Sequence, residues 1–70
     1  MNYKQFKTLD ETTREQNYQK FCTFYNLNPD EPGIWTCFLL ALDDNNGHIT
    51  IGSNGNTQTF VDGVPDEVFA

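Results

Sequence analysis

Apolar positions follow a helical period in the first half of the chain and a strand-like pattern in the second. Tyr18, Phe21, Cys22 and Tyr25 stand at i, i+3, i+4 and i+7, with Phe24 beside them and Arg14, Gln16, Gln19 and Lys20 filling the other positions. This spacing predicts one amphipathic helix. Thr8–Glu11 and Thr12–Glu15 both read T-x-x-E, so two capping boxes one turn apart compete for its start. Asp10, Glu11 and Glu15 suit the positive end of the helix dipole. Pro29 disfavours helical backbone at Asn28, so the helix is expected to end near Asn26. Residues 1–7 are short and mixed, with Tyr3 and Phe6 as anchors.

After a loop from Asn28 to Gly33, the run Ile34–Leu42 (IWTCFLLAL) is apolar on both parities. Its β-branched and aromatic opening predicts a strand buried on two faces, although periodicity alone does not separate this from a short helix. Asp43 to Gly47 is a turn, 48–52 a short strand with Ile49 and Ile51 on one face, 53–56 a second turn, and 57–61 a third strand. Both turns contain Asn-Gly, a strong hairpin signal. A two-residue turn at Asn54-Gly55 would set Ile49 opposite Phe60 and Thr50 opposite Thr59. For the first hairpin, a two-residue turn puts Ile49 and Ile51 with Leu40 and Leu42. A five-residue loop puts them with Leu39 and Ala41 instead. Pro65 opens a short helical turn through Val68. The expected fold is therefore α+β in a single domain, 1–70: one N-terminal helix on a three-stranded antiparallel meander (αβββ), with a short C-terminal turn or helix.

This layout leaves strand 34–42 at an edge, apolar on both sides and uncharged, which calls for a cover. The chain's own ends can supply it through Tyr3, Phe6, Val64, Val68 and Phe69. The other candidates are a second copy or a partner protein meeting Ile34, Trp35 and Phe38, with a homodimer pairing through this strand as one form.

Charge adds a second feature. Four basic and ten acidic residues give −6. Residues 1–27 hold all four basic residues and three acidic ones, a net +1, while 28–70 hold seven acidic residues and no Lys or Arg, a net −7. A meander would gather Asp43, Asp44, Asp62, Asp66 and Glu67 at one pole, joined by Asp10 and Glu11 and partly neutralised by Lys4 and Lys7. A chain this acidic lacks the electrostatic footprint for direct nucleic-acid binding. No apolar run reaches the roughly 18–20 residues of a membrane span. Residues 1–4 lead into no apolar signal segment, and the expected location is the cytoplasm of the host cell. Cys22 and Cys37 are then expected as reduced thiols. Three tyrosines, six phenylalanines and one tryptophan provide enough apolar area for an ordered fold.

Candidate chemistry is sparse. Residues 43–49 resemble a calcium loop only in part: aligning Gly47 with the loop glycine puts Leu42 and Ser53 at end positions that need carboxylates. Cys22, Cys37 and His48 are too few and too scattered for a structural zinc site. The only serine, Ser53, lies in a turn, and the carboxylates occur as adjacent pairs whose side chains diverge. No metal, cofactor or catalytic residue is expected. The sequence therefore points to a non-enzymatic acidic protein that binds a partner with a basic surface, as an inhibitor or modulator of a nucleic-acid-acting protein. Anti-restriction and anti-CRISPR proteins offer an analogy in size and charge only.

Overall fold

The computed structural model describes residues 1–43, 48–51, 56–60 and 63–70. Helix α1 spans Tyr3–Phe6, α2 Glu11–Phe24 and α3 Ile34–Leu42. Strands β1 (His48–Ile51) and β2 (Asn56–Thr59) pair antiparallel, and a 3₁₀ turn covers Asp66–Phe69. The body of the domain is helical.

Each helix boundary has a local cause. Asn2 caps α1 through a reciprocal box: its side chain accepts from the Gln5 N–H at 2.9 Å, and the Gln5 side chain accepts from the Asn2 N–H at 3.0 Å. Asp10, not either threonine, precedes α2. A hydrogen bond from the Thr13 side chain is the largest influence on the Asp10 carboxyl and holds it below its ordinary range; desolvation opposes it, and backbone N–H groups and then Arg14 lower it further. At the other end Asn26 adopts φ +57°. Its N–H donates to Thr23 O at 3.3 Å, and the Leu27 N–H donates to Cys22 O at 2.7 Å. This is a Schellman closure, with asparagine in the left-handed position. Gly33, at φ +91°, precedes α3, and its carbonyl accepts the Cys37 N–H at 3.0 Å.

The expected αβββ meander is overturned at Ile34–Leu42. This segment is a helix, so there is no third strand among the described residues, and neither register proposed for a first hairpin forms. Ile34, Phe38, Ala41 and Leu42 are buried at i, i+4, i+7 and i+8, one face of a helix. Helix formation bonds the segment's backbone internally, and the uncovered apolar edge disappears with the strand. Strand-to-strand homodimer pairing through 34–42 is lost with it.

The β1–β2 register also differs: Ile49 pairs with Gln58, and Thr50 with Thr57. Phe60 lies beyond β2 and is 1% exposed in the helical core, against Phe21 and Tyr25. It is therefore not a strand partner for Ile49. The turn residues 44–47 and 52–55 lie outside the described residues, as does most of the calcium-like run.

An aromatic cluster forms the centre. Phe38 packs its ring against Phe6, Tyr18, Phe21, Trp35 and Phe69, with centroids 4.9–6.4 Å apart. Phe6, Val64 and Val68 from the two ends are buried in the same core, while Tyr3 stays exposed. The ends are tied by backbone bonds: Met1 N donates to Val64 O at 2.5 Å, and Val64 N donates to Met1 O at 2.8 Å.

Two buried polar groups have measurable consequences. Asn17 is 8% exposed and its side chain makes no hydrogen bond to another described residue. Exchanging an unsatisfied buried amide for an apolar group of similar shape removes a penalty of about 1–3 kcal/mol. Asn17→Leu is therefore expected to raise the urea midpoint, and a lowered midpoint would show that the amide is satisfied in solution.

The Tyr18 hydroxyl donates to Pro29 O at 2.7 Å, tying the 28–33 loop to α2. Burial first, and then neighbouring Cys22, push its phenol up to about 12 from 10.0. Burial also pushes the Cys22 thiol up. A raised folded-state pKa means that the native protein holds a proton the unfolded chain releases. The Tyr18 contribution is whole below about pH 10 and is lost as pH rises through about 12. Stability measured by urea unfolding should fall over this window. Tyr18→Phe should flatten the fall while lowering neutral-pH stability by about 1 kcal/mol. An unchanged alkaline slope in that variant would contradict the assignment.

Candidate functional site

Because apolar residues occupy every side of α3 except that of Thr36, burying one face leaves apolar surface in solvent. Trp35 is 41% exposed and Leu40 46%. Two grooves border this outer face. Where α3 meets α2, Glu11, Thr12, Arg14, Glu15, Gln16 and Trp35 line about 640 Å³. The second, about 400 Å³, is lined by Tyr3, Thr36, Leu39, Leu40 and Asp43.

The Trp35 indole is held from behind by aromatic rings. Tyr18 meets it edge-on at 4.9 Å and 80°, while Phe38 and Phe6 lie at 5.7 and 6.2 Å. Such contacts fix the ring's orientation before any partner arrives. In the same groove Arg14 is anchored, its Nε donating to Leu9 O at 2.8 Å. The Glu15 carboxylate accepts from the Gln19 amide at 3.0 Å. Neither Glu11 nor Glu15 forms an ion pair with a described residue.

The residues expected at a partner surface divide. Ile34 and Phe38 are 6% and 0% exposed and belong to the core, so Trp35 alone of the three presents surface. Helical geometry turns 34 and 38 inward together and carries 35 round to the side. Among the acids, Asp43 follows α3 and borders the Leu40 groove. Asp66 accepts from the Met1 ammonium at 3.0 Å. Glu67 shares a depression with Lys20 and Phe24 and adds to the rise, caused chiefly by burial, in the Tyr25 pKa. These three described acids thus line separate depressions, and Asp44 and Asp62 lie outside the described residues.

Leu40, Thr36 and Glu15 were not expected at a surface site, and Glu11 was expected only at the acidic pole. The i, i+4 relation of Thr36 and Leu40 puts them on one side only once 34–42 is read as a helix. Among the described residues, no cluster of three or more His, Cys, Asp or Glu side chains could hold a metal ion, and no helix is long and apolar enough to cross a membrane. No family model, curated protein or solved structure matches the chain.

Proposed function

We propose that this chain is a non-enzymatic interaction protein that binds a basic, nucleic-acid-acting protein in the cytoplasm and modulates it by occupying its phosphate-facing surface. The observation that carries the reading is the outer face of α3. Trp35 and Leu40 stand half-exposed on two sides of a helix whose Ile34–Phe38 face is core, about 140° apart around its axis, in a domain of net charge −6. Large aromatic and aliphatic side chains supply the affinity of such contacts, and complementary charge supplies orientation and association rate. The acidic excess of residues 28–70, including Asp43, Asp44 and Asp62, would steer the encounter.

The test is affinity capture from the native host at low and high salt, using the wild type and a Trp35→Ala/Leu40→Glu variant, followed by nucleic-acid competition with the purified partner. The expected result is a basic nucleic-acid-acting protein retained at low salt, released at high salt and lost with the variant. Equal retention by the folded variant, or a partner whose nucleic-acid binding is unaffected by saturating protein, would overturn the reading.

A further inference from the structure

The Trp35 groove combines features that select one kind of side chain. Its aromatic wall is oriented from behind by Tyr18, Phe38 and Phe6, yet Trp35 remains 41% exposed. Glu11 and Glu15, four residues apart on α2, line the opposite side on one helix face. The hydrogen bond that the Glu15 carboxylate accepts comes from a neutral amide, and the Glu11 side chain makes no hydrogen bond or ion pair with another described residue. Arg14 and the positive end of α2 oppose a cation here, while Asp10, at the N-cap one turn before Arg14, adds a negative charge at the same helix end. Arg14 itself is anchored on the Leu9 carbonyl and makes no cation–π contact with Trp35.

We propose that this groove takes an arginine side chain from a basic segment of the partner, its guanidinium stacked on the Trp35 indole and its N–H groups donating to Glu11 and Glu15. This rests on the reading of a basic protein partner and adds the chemistry of its anchor. A planar guanidinium stacks on an aromatic face while donating in its own plane, which a lysine ammonium does not do.

Trp35 is the only tryptophan, so its indole N–H is a unique NMR signal. The full chain is titrated with hexaarginine, hexalysine and hexacitrulline peptides. The citrulline peptide keeps the planar head group without the charge. Hexaarginine is expected to move the indole signal, hexalysine to move it less, and hexacitrulline to leave it in place. Trp35→Leu leaves the net charge unchanged and should weaken hexaarginine about 2–5-fold, read from the amides of Glu11 and Glu15. Glu11→Gln/Glu15→Gln should weaken it by at least as much. The loop pair Asp30→Asn/Glu31→Gln makes the same charge change outside the groove and should weaken it less than the groove pair.

An equal response to hexacitrulline or hexalysine would overturn the proposal. So would full affinity in Trp35→Leu, or equal weakening by the two charge-matched pairs. If capture of the partner still depends on Trp35 and Leu40 after such a result, the interaction-protein reading survives and only the arginine chemistry falls.

Discussion

Replacing Phe38 with alanine is expected to leave little or no folded protein at 25 °C. The side chain is fully buried, and its ring joins those of α1, α2, α3 and the C-terminal 3₁₀ turn. Phe→Ala in a core removes about 3–5 kcal/mol, from lost transfer energy and from the cavity left behind. A domain of this length has a total stability of only about 4–10 kcal/mol. Urea unfolding followed by far-ultraviolet circular dichroism reads the effect, with Leu40→Ala as the reference for an exposed site on the same helix. Leu40→Ala should change stability by less than about 1 kcal/mol. Similar losses at 38 and 40 would mean that α3 does not divide into an inner and an outer face.

Gly63→Ala is expected to be the more damaging of the two substitutions at described glycines, by about 2–4 kcal/mol, because two costs coincide. Gly63 sits at φ +95°, a region that an L side chain enters at a cost of about 1–2 kcal/mol. Its new Cβ would also fall on the Met1 carbonyl oxygen and within 2.8 Å of Asn2 Cα, both backbone atoms with little room to yield. Relief requires parting the chain ends, which breaks the reciprocal Met1–Val64 bonds and loosens Val64 from the core. Gly33 is the internal control. Its φ is +91°, but an added Cβ would meet nothing within 4 Å. Gly33→Ala should therefore carry the conformational cost alone, about 1–2 kcal/mol. Equal urea midpoints for the two variants would show that the ends are not held together as described.

The parts of the fold legible in sequence are those where apolar and polar residues alternate with a definite period. In α2, Tyr18, Phe21 and Cys22 are the buried stripe, and polar residues mark the exposed side. The run 34–42 has almost no polar residue to mark a face, so a period of 2 and a period of 3.6 fit it equally well. Packing decides the matter: α2 and α1 offer α3 an aromatic surface matching positions 34, 38, 41 and 42. Helix α1 carried a readable signal, since Asn2-x-x-Gln5 is a capping-box pattern with asparagine in place of serine or threonine. Trp35 was legible as a contact residue from its chemistry. Its groove was not, because Glu11 and Glu15 meet it only through the tertiary packing of α2 against α3.

The central claim is that Ile34–Leu42 is a helix with Phe38 inside and Trp35 and Leu40 outside. Backbone Cα chemical shifts across these nine residues test it most directly. A continuous run of downfield secondary shifts from 34 to 42 is the predicted result. A run of upfield, strand-like shifts would contradict it, and would remove the outer face on which the proposed partner binds.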